Sequence, residues 1–227
     1  MREIVLDTET TGLSPREGHR IVEIGCLELI NHMSTGRNYH QYIKPDIPMP
    51  SGAQDVHGIS DEFLADKPPF EEVAEAFLEF VGDSPMVIHN ASFDMAFINA
   101  ELTRMGLATL PMAQTIDTVS MAREKFPGAP ASLDALCRRF EIDNSSRTFH
   151  GALLDAELLA EVYLELIGGR QPDLVLEAGS NRSRSKGASG REIERVARPP
   201  RAHAASEAEL ARHAEFLKKI SDPLWTR

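Results

Sequence analysis

Ile4-Val5-Leu6 runs straight into Asp7-Thr8-Glu9. An apolar triplet of this kind reads as buried strand, and in a strand residues two apart point to the same face. Asp7 and Glu9 therefore leave the end of one strand side by side. On a core-facing surface two such charges are costly unless something positive joins them. A solvated strand end that turns at Gly12 accounts for "DTETTGL" equally well, so the remaining sequence has to decide.

The 227 residues leave room for one domain of ordinary size and an appendage, and an apolar content of 42% supplies a core. Cys26 and Cys137 lie in apolar surroundings without a CxxC pattern, which predicts two buried free thiols. No apolar run has membrane-spanning length, and "MREIVL" enters a strand without a signal-peptide layout, so a cytoplasmic protein is expected. The net charge of −11 argues against unaided binding of a polyanion. From Glu177 onward 11 basic and 7 acidic residues give +4, which leaves −15 for residues 1–176. An acidic body still receives nucleic acid if its acids gather around divalent ions, because the ions invert the local sign.

The pattern predicts strands over 3–8, 20–29 and 38–43, joined by short connections as an antiparallel meander. "SDEF" opens a short helix. Phe70, Val73, Ala74, Phe77, Leu78 and Val81 share one face of a longer helix that ends at Gly82. "MVIHN" predicts a buried strand, "FDMAFINAELTRMG" a helix with Phe93, Ala96 and Phe97 inward, and "TIDT" a last short strand. Helices over 119–125, 133–140 and 152–167 follow. The fold class is therefore α/β, a mixed sheet with helices on its faces. From Glu177 the chain turns to Ser, Arg, Gly and Ala without aromatics, the composition of a disordered linker. Ser206 and Glu209 then form a capping-box pattern ahead of an apolar run through Leu210, Ala214, Leu217 and Ile220 to Leu224-Trp225.

Two further segments supply acids. Asp94 stands in the first turn of a helix after a buried strand; dipole stabilisation alone would explain it, but a neighbouring strand would also carry it to the sheet edge that bears Asp7. In "HGALLDAELLAEVYLEL", His150 and Asp155 are five residues apart and cannot share a helix face, so His150 precedes the helix and Asp155 lies in its first turns beside Leu154, Leu158 and Leu159. Four carboxylates from three segments and one loop histidine fit a two-metal site for phosphoryl hydrolysis. Hard Mg²⁺ takes oxygen ligands, and a pair of ions about 3.5–4 Å apart clamps the attacking and leaving oxygens while a histidine accepts a proton.

"DTETTGL", "VIHNASFDMAF" and "HGALLDAELLAEVYLEL" together resemble the DEDD exonucleases of the branch with histidine in the third motif. "VHGISDEFLADKP", "SLDALCRRFEIDNSSRTFHGALLDAELLAEVYL" and the terminal "LW" are similar, within that superfamily, to the family of epsilon proofreading subunits of bacterial DNA polymerase III. The resemblance is dense over residues 2–170 and returns at the end of the chain. It implies a ribonuclease-H-like fold with a five-stranded mixed sheet, and 3′→5′ hydrolysis of DNA to nucleoside 5′-monophosphates with two divalent cations, Mg²⁺ or Mn²⁺. It implies that Asp7 touches both metals, that Glu9 and Asp155 hold the one bearing the attacking water, that Asp94 serves the second through water, and that His150 is the general base. Together with Asp7, Glu9 and Asp155, the residues expected to meet the 3′-terminal nucleotide are Thr8, Leu13 and His57, with Asn90 orienting the loop before Asp94. For His57 a turn residue packing under Ile59 is an equal reading.

The expected domains are an exonuclease domain over 1–170, a flexible linker over 171–205 and a C-terminal segment over 206–227. "QPDLVL" resembles sliding-clamp-binding peptides through Gln171, Leu174 and Leu176, with a polar helix end as the plainer reading. Leu217, Ile220, Leu224 and Trp225 form an anchor for which the family implies the polymerase alpha subunit as partner, tethered through the linker. The expected substrate is a single-stranded or frayed DNA 3′ end. A free-standing exonuclease acting on RNA or single-stranded DNA shares the five catalytic positions and differs in having no use for such a tail. A non-catalytic module would have no physical reason to keep clustered charge.

Overall fold

The triplet Ile4-Val5-Leu6 occupies the middle of β1 (Arg2–Thr10), the central strand of a five-stranded mixed sheet. The computed structural model describes residues 1–145, 149–169 and 205–220. β1 pairs antiparallel with β2 (Ile21–Ile30), and β2 pairs antiparallel with β3 (Met33–Tyr42). After α1 (Ser51–His57), α2 (Asp61–Leu64) and α3 (Phe70–Val81), the chain re-enters the sheet as β4 (Met86–Ile88), parallel to β1 on its other side. α4 (Ala91–Arg104) leads to β5 (Thr115–Asp117), parallel to β4. α5 (Thr118–Lys125), α6 (Leu133–Phe140) and α7 (Ala152–Ile167) follow, and the strand order is β3-β2-β1-β4-β5.

The meander and the mixed sheet match the pattern read from the sequence, with three differences. β3 begins at Met33 instead of Asn38, because Asn31 and His32 take left-handed conformations (φ 51° and 65°) and close the hairpin in two residues. Its first half is exposed, so pairing with β2 holds it in place of burial. The pattern also gives no sign of α1, which buries only His57 and has no apolar stripe to announce it. Ala96 is exposed where an inward position was expected, since the inner face of α4 runs through Ala91, Met95, Ile98 and Leu102.

Alternation along β1 divides the core. Ile4 and Leu6 join Phe70, Phe77 and Phe97 in one layer, whereas Val5 joins Leu136, Leu159 and Val162 in the other. Odd-numbered positions of β1 thus face α7. Glu3, fully buried, accepts a hydrogen bond from the Tyr163 hydroxyl at 2.8 Å and lies 2.8 Å from His32 Nδ1. This contact fixes the later turns of α7 along β1. At the opposite end Gly25, paired with Asp7, has no room for a side chain: a Cβ there would lie 2.3 Å from the backbone of Ala152 and Leu153. The first turn of α7 therefore rests on the bare backbone of β2, which brings Asp155 to the end of β1.

The chain divides into two units, Met1–Val175 and Leu176–Arg227. In the second, α8 (Glu207–Leu217) opens with the capping box read from the sequence: Ser206 Oγ accepts from the Glu209 amide, and the Glu209 carboxylate accepts from the Ser206 amide at 2.8 Å. α8 buries none of its residues; Leu217 is half-buried and Ile220 is 37% exposed. Residues 171–204 of the expected linker, with Gln171, Leu174 and Leu176, lie outside the described residues, as do Leu224 and Trp225. Both cysteines are buried and neither is in a disulfide, and no helix among the described residues is long and apolar enough to cross a membrane.

Candidate active site

Two carboxylates leave β1 on its α7 side, as the strand period requires. Asp7 is half-buried and Glu9 is buried. Asp155, buried in the first turns of α7, meets them there. Thr8 points to the opposite face and reaches α4, where its amide and its hydroxyl both donate to Asp94 Oδ1, at 3.1 and 2.7 Å. All four acids, from β1, α4 and α7, line one cavity of about 320 Å³ together with His150. The site lies at the carboxyl ends of the parallel strands β1 and β4, the usual place for a ligand in an open α/β sheet.

His150 precedes α7, and Gly151 between them is the extended N-cap of that helix. Its Nδ1 is 3.4 Å from Asp155 Oδ2 and its side chain is 49% exposed, so it stands at the cavity mouth within reach of water. The His150 amide donates to the Val56 carbonyl at 3.2 Å. Next to it, the Phe149 ring lies so close to Gly58 that a Cβ at that glycine would be 3.2 Å from Cγ. α1, the helix that the sequence pattern leaves out, therefore supports the segment bearing His150.

Glu9, His150 and Asp155 each present a ligand atom within 4.8 Å of the others. No lysine or arginine among the described residues lines the cavity, and its charged groups are carboxylates, beside the imidazoles of His89 and His150 and the hydroxyls of Thr8 and Ser132. This set fits hard divalent cations. Burial pushes the Asp94 carboxyl up to about 7, against the two Thr8 hydrogen bonds that favour the anion. Concentrated negative charge of this kind favours either proton uptake or bound cations.

The metal-free protein should show this in its stability. The folded state raises the pKa of Asp94 above its unfolded value, so the group contributes stability below about pH 4 and loses it as pH rises through about 7. Asp94→Asn removes that loss. In chelator, the variant is expected to gain on the wild type by up to about 2–4 kcal/mol between pH 5 and pH 8, because a tenfold change in proton affinity on folding corresponds to about 1.4 kcal/mol. Denaturant titrations of both proteins across that range check this; a difference independent of pH contradicts it.

A second cavity of about 500 Å³ adjoins the first and shares Thr8, Glu9 and Phe93 with it. Leu13, 83% exposed, stands at its edge, and buried His57 forms part of its wall. His57 Nδ1 accepts from the Ile59 amide at 3.1 Å, and burial lowers its pKa, with Glu23 and the Thr10 backbone pulling the other way. It is thus both the end of a helix and a cavity residue. The segment bearing Leu13 is anchored by Arg20, whose backbone pairs with Thr11 and whose guanidinium grips both oxygens of buried Glu101 (2.6 and 2.7 Å) as well as Asp46. Asn90 lines neither cavity. It holds the left-handed position before α4 (φ 70°) and accepts from the Ser92 hydroxyl at 3.2 Å.

His89, Phe93, Ser132, Leu133 and Asp134 also line the first cavity and are absent from the site residues expected from the sequence. His89 and Phe93 both precede Asp94 within "VIHNASFDMAF", so proximity to a motif acid was the available signal. Nothing in "SLDALC" distinguishes Asp134 from an ordinary acid in a helix's first turn.

Comparison with known proteins gives concordant results. The model of the Exonuclease family (RNase_T) matches residues 4–163. The DNA polymerase III subunit epsilon of Rickettsia conorii is 51% identical over 97% of this chain and 96% of its own length. That of Escherichia coli is 45% identical over 99% of this chain and 97% of its own. Exonuclease X, solved in complex with 5′ overhanging duplex DNA, superposes with a TM-score of 0.58 at 28% identity, over 73% of this chain and 90% of that one. The nuclease domain of 3'hExo, a DEDDh family member bound to rAMP, shares the fold with a TM-score of 0.63 at 18% identity, over 73% of this chain and 91% of that one.

Proposed function

The chain belongs to the exonuclease family of DNA polymerase III epsilon subunits, and on that premise we propose that it proofreads DNA, removing mispaired 3′-terminal nucleotides as 5′-monophosphates by hydrolysis with Mg²⁺ or Mn²⁺. The observation that carries this reading is the convergence of Asp7, Glu9, Asp94, Asp155 and His150 on one cavity at the end of β1. Asp7, Glu9 and Asp155 would hold the cations, with Asp94 on the α4 side. Bound there, divalent cations neutralise the developing charge on the phosphoryl oxygens and make water a better nucleophile near neutral pH.

The protein's own groups do the rest. His150 turns Nδ1 toward Asp155, so it receives the proton of the attacking water at Nε2. Its exposure lets that proton pass to solvent between turnovers. The second cavity has the volume for one nucleoside, with apolar walls at Ala53, Val56 and Phe93 for sugar and base, and Leu13 and His57, which also line it, would contact them. Thr8 holds Asp94 with both its donors, so its side chain acts on the site by fixing that acid.

The alignments with the epsilon subunits run through nearly the whole chain, tail included, which favours a polymerase-bound exonuclease over a free-standing RNA-trimming one. Leu217, Ile220, Leu224 and Trp225 would bind the polymerase alpha subunit, and Gln171, Leu174 and Leu176 the sliding clamp. A fragment of residues 1–170 should therefore digest single-stranded DNA at close to the full-length rate and fail to capture the polymerase subunit. Leu224→Ala with Trp225→Ala should weaken that capture by about 2 kcal/mol or more, the usual size of an interface hot spot. Titration of the purified polymerase subunit with each protein is the check, and full affinity of the fragment would place the contact on the catalytic domain instead.

A further inference from the structure

We propose that the cleft between the start of α4, α5 and the turn at 129–132 is the exit path for the DNA strand upstream of the scissile bond, with Arg123 holding one of its phosphates. The proposal rests on the exonuclease reading above and assigns a second binding site to it. A chain cleaved one nucleotide from its end needs a closed site for the terminal nucleoside and an open, cationic path for the rest. The two sides of the metal cavity differ in the required sense. The cavity on the α1 side carries Glu9 and Glu17 and, among the described residues, no lysine or arginine, so it repels a second phosphate. On the other side lies a cleft of about 590 Å³ that shares His89 and Ser132 with the metal cavity.

Arg123 is the cation of that cleft. It is exposed on α5 and makes no ion pair among the described residues. The acid in the same cleft, Asp117, is engaged locally: it accepts from the amides of Asn90 (3.1 Å) and Val119 (3.0 Å) and from the Ser120 hydroxyl (2.8 Å). Arg16 is the competing cation. It lines a smaller cleft of about 360 Å³ on the outer side of Phe93, and among the described residues that ring is the one wall it shares with the metal cavity. The wider and more direct route runs past Arg123.

The test compares two substrates on the full chain. The nitrophenyl ester of thymidine 5′-monophosphate occupies the terminal site and has no upstream strand, whereas a long single-stranded oligonucleotide has both parts. In Arg123→Gln the ratio of kcat/KM on the strand to kcat/KM on the ester should fall about threefold to tenfold. The log–log salt dependence of KM for the strand should flatten by about 0.7, the value of one phosphate contact on a single strand. Arg123→Lys should restore most of both, and Arg16→Gln should keep the wild-type ratio. An unchanged ratio and salt slope in Arg123→Gln overturns the proposal, and so does a fall carried by Arg16→Gln. If the wild type hydrolyses neither substrate, the exonuclease reading itself fails and takes this site with it.

Discussion

Asp7→Ala is expected to abolish hydrolysis while leaving the fold intact. Asp7 lines the cavity with Glu9, Asp94 and Asp155, on the strand end that Gly25 opens to α7. Removing one of four gathered carboxylates relieves repulsion, so the metal-free variant should be as stable as the wild type or slightly more so. The wild type should gain thermal stability on adding Mg²⁺ or Mn²⁺, because ions that bind only the folded state shift its equilibrium; the variant should lose most of that gain. Substantial nuclease activity in correctly folded Asp7→Ala protein would rule out the two-metal assignment.

His150→Gln separates chemistry from ligation. A general base contributes about 10²–10⁴-fold to turnover, and the loss should appear in kcat with little change in KM. The metal-dependent gain in thermal stability should survive, since glutamine leaves the carboxylates in place. If that gain collapses while turnover at saturating metal stays normal, His150 is a ligand or a support, in keeping with its closeness to Glu9 and Asp155.

The acids were legible because each obeys a local rule. Asp7 and Glu9 follow strand alternation, and Asp94 and Asp155 follow helix starts after apolar segments. Their meeting point was legible only as a condition, that the strand before Asp94 lies next to β1; the parallel pairing of Ile4, Val5 and Leu6 with Met86, Val87 and Ile88 meets it. The roles assigned to each residue came from family resemblance rather than from spacing. α1 stayed hidden because its short sequence has no apolar stripe, yet it carries His57 and supports His150 through Val56 and Gly58. Gly25 reads as an ordinary strand glycine until α7 is seen lying on it. The buried pair of Arg20 with Glu101 joins residues far apart in sequence, and no local pattern couples them. Thr8 likewise stands beside two acids in the sequence but spends both its donors on a third, Asp94.

The most direct test of the central claim is the identity of the products. A 5′-labelled single strand incubated with the full chain and Mg²⁺ should shorten one nucleotide at a time from its 3′ end, and the released mononucleotides should carry 5′-phosphates. Internal cleavage, 3′-phosphate products, or no cleavage by correctly folded protein with either Mg²⁺ or Mn²⁺ would contradict it.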